Sequence, residues 1–179
     1  MAVKGKDWYQ IFAPKFFGDK VIGETLALDP NSLTGRVVES SMIDLSDDPT
    51  RYYIKLFFKI TNVEGTKLAT KYFGHDCTRD FIARIVQKRT SRIDTNDIVE
   101  FKDGKLRIKC ITVANRKVPR EMQSIIRKEI SSRIKELGKE SVESFVKGMI
   151  SGRIQQSIMQ DINKIYPLRF FEFRKTEVL

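Results

Sequence analysis

Two different spacings of apolar residues divide this chain, and they constrain its fold more than any other feature. In residues 52–63 apolar side chains occupy every second position, which predicts a half-buried β-strand because successive side chains of a strand point to opposite faces. After Pro119 the apolar residues recur at helical spacing instead. The chain therefore predicts an α+β protein in which most strands precede most helices.

Further strands are expected around residues 52–63. A turn at Glu64-Gly65 predicts a hairpin, and Asp103-Gly104 between two alternating segments predicts a second one with a type I′ turn. The expected additional strands cover residues 34–45, 68–73, 93–102, 105–113 and 168–174.

Four helices are expected. Thr78 is a candidate N-cap for the first, which should end near Arg89. The second carries an apolar stripe from Met122 to Leu137 and stops at Gly138. The third is predicted to begin after the cap Ser141, and the fourth follows Ser151 and is ended by Pro167.

The length favours a single domain over residues 1–179. Its predicted parts are an extended basic and aromatic arm (1–20), a mainly β region with one helix (34–113), a helical region (120–166) and a closing strand (168–175).

Charge points to a polyanionic partner. The chain has 33 Lys and Arg against 23 Asp and Glu, a formal net charge of +10, and such a surplus favours phosphate because each neutralised phosphate releases counterions. The surplus is uneven: residues 76–120 hold twelve bases and six acids, whereas residues 21–50 hold six acids and Arg36 alone. This asymmetry predicts one face turned to phosphate and another turned to water or protein.

The bases of residues 76–120 form two clusters. The first runs from Arg79 to Arg92 and the second from Arg107 to Arg120. Arginine suits bidentate phosphate contact. No motif for base readout accompanies the clusters, so recognition of phosphates and of RNA shape is expected.

Sequence motifs give little support to catalysis. His75 is the only histidine, and its spacing to Cys77 matches no standard zinc or hydrolase pattern. No catalytic residue, metal or cofactor is predicted. The two cysteines form no CxxC, and no apolar run approaches the ~20 residues that span a bilayer. We therefore expect a cytoplasmic protein without membrane contact.

Several short stretches, spread in order over nearly the whole chain, match one family. They are Lys-Asp-Trp-Tyr at 6–9, Ala-Pro at 13–14, Ile-Gly-Glu-Thr at 22–25, Leu-Thr-Gly-Arg-Val-Val-Glu at 33–39, Thr-Arg-Asp at 78–80, Lys-Arg-Thr-Ser-Arg-Ile-Asp at 88–94, Asp-Gly at 103–104, Lys-Ile-Tyr-Pro-Leu at 164–168 and Arg-Lys at 174–175. In these stretches the chain resembles the archaeal small-subunit ribosomal protein three-A-e family, the counterpart of the eukaryotic three-a protein.

The resemblance implies a structural protein on the platform of the small ribosomal subunit, near the messenger exit. It also implies an antiparallel β-barrel-like core with appended helices, and contacts with ribosomal RNA and neighbouring ribosomal proteins, with messenger RNA nearby. Together with the basic clusters, it makes the following residues the RNA-contact candidates: Lys4, Lys6, Trp8, Lys15, Arg36, Arg79, Arg84, Lys88, Arg89, Arg92, Arg116, Lys117, Arg120, Arg174 and Lys175.

Two alternative functions stay open at this point. One is a protein-interaction module whose acidic segment 21–50 docks a basic partner. The other is a metal-dependent hydrolase that uses His75, Asp76 and Asp80.

Overall fold

A computed structural model describes residues 5–46 and 48–179. The chain divides into two compact units, residues 1–75 and 76–179. The single-domain organisation expected for residues 1–179 stays a prediction.

The first unit is a β-sheet with one short α-helix among its described residues. Its strands pair in the order β2–β1–β5–β4–β3, with β1 antiparallel to β2 and parallel to β5. Tyr9, Ile11, Leu33 and Leu68 belong to the buried core beneath these strands. The elements are β1 (Asp7–Phe12), β2 (Val21–Ala27), β3 (Val37–Ser41), α1 (Met42–Ser46), β4 (Ile54–Glu64) and β5 (Lys67–Cys77), the last of which continues into the second unit.

The alternating segment 52–63 is confirmed as a strand. Ile54 and Phe58 are buried in β4, whereas Lys55 and Lys59 are exposed. The loop of residues 65–66 joins β4 to its partner β5, as expected for a hairpin.

Residues 7–12 of the expected extended arm form β1, which lies between β2 and β5; the bounds of the arm stay a prediction. One N-terminal segment differs from the sequence predictions. Strand β3 ends at Ser41, and α1 replaces the rest of the expected strand. The polar groups of Ser41 explain this change: its N–H donates to an Asp44 carboxylate oxygen at 3.3 Å, and its hydroxyl accepts the Ile43 N–H at 3.4 Å.

The second unit packs helices on a three-stranded sheet. Strands β6, β7 and β8 are arranged with β7 in the centre, and each neighbouring pair is antiparallel. The elements are α2 (Arg79–Ile85), β6 (Ser91–Phe101), β7 (Gly104–Ala114), α3 (Arg120–Glu136), α4 (Val142–Ser151), α5 (Arg153–Asn163) and β8 (Leu168–Val178).

Aromatic rings join α4 to this sheet. The Phe145 ring lies 5.2 Å from that of Phe101 in β6 and 5.4 Å from that of Phe173 in β8. On α3, the Ser131 hydroxyl donates to Asp97 of β6 at 2.9 Å. These contacts hold α3 and α4 against the sheet.

The helical predictions are largely confirmed. Ile126, Ile130 and Ile134 are the buried residues of α3. Ser141 caps α4, because its hydroxyl accepts the Ser144 N–H at 3.2 Å. Ser151 is the last residue of α4, and Gly152, with a φ of 78°, separates it from α5.

The predictions for two turns need correction. The turn of the β6–β7 hairpin consists of Lys102 and Asp103, since Phe101 pairs directly with Gly104. Neither turn residue has the positive φ of a type I′ turn. Helix α2 ends at Ile85 and not near Arg89, because residues 87–90 form a turn of their own.

The α+β class is confirmed, including the helix between strands, the C-terminal helices and the closing C-terminal strand. The expected barrel-like closure is not found: among the described residues, the strands of each unit pair in an open order.

Candidate nucleic-acid interface

Parts of the two basic clusters meet at one end of the strands β6, β7 and β8. Ser91, the first residue of β6, pairs with Ala114, the last residue of β7. The Val118 N–H donates to the Ser91 hydroxyl at 2.9 Å. The loop before β6 and the loop after β7 therefore lie side by side.

The start of β8 belongs to the same end of the sheet. Leu168 pairs with Ala114, and the Asn115 N–H donates to the Pro167 carbonyl at 3.5 Å. The Arg169 guanidinium donates to the side-chain oxygen of Gln87. We call the resulting surface the basic end; its cations are Lys88, Arg89, Arg116, Lys117, Arg120 and Arg169.

The cations of the basic end are exposed and keep their charge open to a ligand. All six side chains are exposed. Among the described residues, no ion pair involves Lys88, Arg89, Arg116, Lys117 or Arg120. Clustered cations without nearby counter-ions create a positive potential that attracts phosphate.

A tight turn presents part of the basic end. The Thr90 N–H and hydroxyl both donate to the Gln87 carbonyl, at 3.3 Å and 2.7 Å. Arg89 has a φ of 70° in this turn. Such a left-handed conformation costs a residue with a side chain about 1–2 kcal/mol, so these hydrogen bonds hold Arg89 in a defined, disfavoured position.

Helix α2 places two further candidates near the basic end. Its Phe81 ring packs edge-on against Phe170, at a centroid distance of 5.6 Å. Phe170 pairs with Val113 close to the end of β7. Arg79 and Arg84 are both exposed on this short helix.

The remaining candidates of the second unit lie along the strands. The Arg92 guanidinium meets Asp94 at 2.9 Å. Arg174 is half-buried where the register of β8 against β7 shifts. The Lys175 ammonium lies 2.8 Å from the Glu177 carboxylate and 4.0 Å from that of Asp76. Two of these three cations are therefore already engaged with acids.

Glu177 contacts several cations on the face of the strands that carries Lys175. Its carboxylate also lies 3.4 Å from Lys109 and 3.5 Å from Arg107. The hydrogen bond from Lys175 is the main cause that lowers the pKa of Glu177, and the same bond raises the pKa of Lys175. One carboxylate therefore serves three cations, and part of the positive charge of this face is matched within the chain.

The other candidates belong to the first unit. Lys6 and Lys15 are exposed, and the Trp8 side chain is 60% exposed. The Arg36 Nε donates to the Ser32 carbonyl at 3.1 Å. Lys4 lies outside the described residues.

The residues of the hydrolase hypothesis do not form a metal site. His75 is buried, with its Nδ1 3.4 Å from the Tyr72 hydroxyl. Across residues 5–46 and 48–179, no group of three or more His, Cys, Asp or Glu side chains is arranged to hold a metal ion. Burial raises the pKa of the Cys77 and Cys110 thiols well above the usual range, which keeps both groups protonated.

Sequence reasoning missed Arg169. It lies more than forty residues beyond both basic clusters, near the start of a predicted strand. Only the pairing of β8 with β7 brings it to the basic end. The one available signal was its position next to Leu168 at the start of that strand.

The described part of the chain has no helix long and apolar enough to cross a membrane.

Comparisons with known proteins identify one family. The model of the ribosomal S3Ae family matches residues 2–179. The chain is 37% identical over 178 residues to small ribosomal subunit protein eS1 of Methanothermobacter thermautotrophicus, covering 98% of this chain and 91% of the relative. It is 41% identical over 182 residues to the protein of the same name from Methanopyrus kandleri, covering 98% and 86%. For that of Sulfurisphaera tokodaii the identity is 37% over 178 residues, covering 98% and 92%.

Proposed function

The chain belongs to the ribosomal S3Ae family, and from this premise we propose that it is a structural component of the small ribosomal subunit that binds ribosomal RNA through its basic end. It is not an enzyme, since the family is one of structural ribosomal proteins. Neither the hydrolase nor a stand-alone protein-interaction module is supported as its function.

The observation that carries the RNA-binding proposal is the convergence of six exposed cations from three separate chain segments at one end of a sheet. Four of the six are arginines, whose planar guanidinium groups contact phosphate through two parallel hydrogen bonds. Paired strand ends anchor the turn and loops that carry most of these groups, which suits recognition of the backbone shape of folded RNA.

The other candidates take secondary roles in this proposal. Arg79 and Arg84 extend the basic end. Arg92 and Lys175 contact RNA only by exchanging their acidic partners for phosphate, and Arg174 contributes through its exposed part. In the first unit, Lys4, Lys6, Lys15 and Arg36 are proposed as additional contacts, whereas Trp8, which pairs with Leu26, is assigned to a protein contact below.

The place of the protein in the subunit follows from the family resemblance. We propose the platform near the messenger exit, within cytoplasmic ribosomes, with ribosomal RNA and neighbouring small-subunit proteins as partners. Proximity to messenger RNA is part of the same proposal.

A salt titration with matched variants tests RNA binding. The variant combining Lys88→Ala, Arg116→Ala and Lys117→Ala removes three cations of the basic end. The control combines Lys71→Ala, Lys128→Ala and Lys135→Ala, which removes three exposed cations without a proposed role. Affinity for small-subunit ribosomal RNA is measured over a range of salt concentrations.

The basic-end variant should lower the slope of log affinity against log salt by up to about 0.9 for each phosphate that is no longer neutralised. The control should keep a slope close to that of the parent chain. Equal slopes for both variants, or RNA binding that ignores salt in the parent chain, contradict the proposal.

A further inference from the structure

Strand β2 forms an open edge of the first unit's sheet. It pairs with β1, and within residues 5–46 and 48–179 no other strand pairs with it. An open edge presents a row of backbone N–H and C=O groups that can pair with another chain.

The register identifies the outward-facing backbone groups. The Gln10 N–H donates to the Thr66 carbonyl at 2.9 Å, on the β5 side of β1. Because backbone groups alternate along a strand, Tyr9 must direct its own groups towards β2, where Thr25 is its partner. The neighbours of Thr25, which are Glu24 and Leu26, therefore direct their N–H and C=O groups away from β1.

Exposed apolar side chains lie along this edge. Leu26 is 41% exposed and pairs with Trp8, which is 60% exposed, so the two lie together on the solvent face of the hairpin. Val21, at the other end of β2, is 51% exposed. Residues 21–27 include neither the lysine nor the proline that commonly protects an edge strand from pairing.

The local charge selects the kind of partner. Residues 21–29, which form β2 and the start of the following loop, contain two acids, Glu24 and Asp29, and neither Lys nor Arg. Glu24 is exposed on the face of Trp8 and Leu26, and exposed Asp29 follows the strand. Phosphates are repelled by these carboxylates, whereas lysine and arginine side chains are attracted.

We propose that the β2 edge accepts an extended basic segment of a neighbouring small-subunit protein, which adds to the sheet as a further strand. Backbone groups of Glu24 and Leu26 supply the hydrogen bonds, and Trp8 and Leu26 supply the apolar contact. Cations of the incoming strand lie against Glu24 and Asp29. This surface goes beyond the RNA-binding site; only the identity of the neighbour as a ribosomal protein rests on the proposed function.

Cross-linking in assembled small subunits tests this proposal. The full chain, with the photoreactive residue p-benzoylphenylalanine in place of Leu26, is incorporated into subunits, irradiated, and its products are mapped by mass spectrometry. The expected product joins position 26 to a lysine- and arginine-rich extended segment of another protein of the subunit. The same photoreactive residue in place of Lys117 serves as the matched probe of the basic end and should cross-link to RNA.

Two variants at one position separate backbone pairing from charge. Glu24→Pro removes an outward N–H while leaving the bonds of Thr25 to β1 in place, and it should lower the cross-link yield about five-fold or more. Glu24→Gln keeps the N–H and should lower the yield by a smaller factor. Circular dichroism and thermal unfolding of both variants verify that the sheet is retained.

Three other outcomes overturn the proposal. A product with ribosomal RNA at position 26 means that the edge faces nucleic acid, and a product with a second copy of the chain means that it forms a dimer. Absence of any product at position 26, while position 117 reacts with RNA, also rejects it. Absence of the RNA product at position 117, with the protein product at 26 retained, counts against the basic end alone.

Discussion

The backbone N–H of Val118 donates a hydrogen bond of 2.9 Å to the side-chain oxygen of Ser91, 27 residues earlier in the chain. This bond ties the loop that carries Arg116 and Lys117 to the strand that follows Lys88 and Arg89. The proposed RNA-binding surface depends on this connection, because it sets the distance between two groups of cations that the sequence keeps apart.

Replacing Ser91 tests that connection without removing any charge. Ser91→Ala leaves the buried N–H of Val118 without its acceptor, which should lower the free energy of unfolding by about 1–2 kcal/mol. RNA affinity should fall as the two loops lose their fixed spacing. Urea unfolding and RNA titration at constant salt measure the two effects. Ser91→Thr keeps the hydroxyl and should behave like the parent; unchanged affinity in Ser91→Ala contradicts the role of this bond.

The left-handed conformation of Arg89 allows stability and binding to be separated. Arg89→Gly removes the side chain and accommodates a φ of 70° freely, whereas Arg89→Ala keeps the strain. The free energy of unfolding of the glycine variant should therefore be about 1 kcal/mol higher than that of the alanine variant. Both should lose RNA affinity equally. Identical chemical denaturation curves for the two variants argue against the left-handed turn.

The approach of Gly138 to strand β6 predicts a large cost for a single methyl group. A Cβ atom at Gly138 would lie 2.6 Å from the Glu100 carbonyl oxygen, and a backbone atom cannot move aside easily. Gly138→Ala should lower the free energy of unfolding by about 1–3 kcal/mol, as measured by thermal or urea unfolding.

Gly148 provides the matched control for this substitution. Its added Cβ would meet the Ile154 side chain at 2.7 Å, which is a flexible group that can rotate away. Alanine also favours the helix interior by about 1 kcal/mol over glycine. Gly148→Ala should therefore be close to neutral. A larger loss of stability for Gly148→Ala than for Gly138→Ala contradicts this comparison.

The two buried thiols should be chemically silent in the folded chain. Burial raises the pKa of Cys77 and Cys110, so neither forms the thiolate that reacts with iodoacetamide at about pH 8. Mass spectrometry should detect modification of both only after unfolding. Ile98→Cys, at a position that is 53% exposed, provides a reactive control in the folded chain.

The same pKa shift predicts the sign of a pH effect. A thiol whose pKa is raised in the folded state keeps its proton there, so its contribution to stability is complete below the unfolded thiol pKa of about 8.5 and is lost as pH rises further. The free energy of unfolding should decline above that pH, and the decline should be shallower in Cys110→Ala. Rapid alkylation of the folded chain, or an identical decline in the variant, contradicts these assignments.

Local sequence patterns were enough for most of the elements. The alternation around Ile54 and Phe58 predicted β4, and the stripe of Ile126, Ile130 and Ile134 predicted α3. Such patterns succeed because the period of burial depends on the geometry of a single element. The errors occurred where a few hydrogen bonds decide, as at Ser41, where side-chain bonds start α1 and end the expected strand.

The candidate site could be predicted only in part. Composition identified the basic clusters around Lys88 and Lys117, but not which cations would be matched by acids. Lys175 forms an ion pair with Glu177, and Arg92 forms one with Asp94. The pairing and course of the strands bring these groups together, and no local sequence pattern predicts the contacts.

By itself, the sequence determined the α+β class, the surplus of positive charge and the residues available to contact phosphate. Tertiary structure alone decided that Arg169 joins Lys88 and Lys117, and that the edge of β2 stays open beside Glu24. The physical reason is the distance along the chain over which each property is set. Burial period and charge are properties of neighbouring residues, whereas strand register brings together groups separated by tens of residues, and it is set by the packing of the whole sheet.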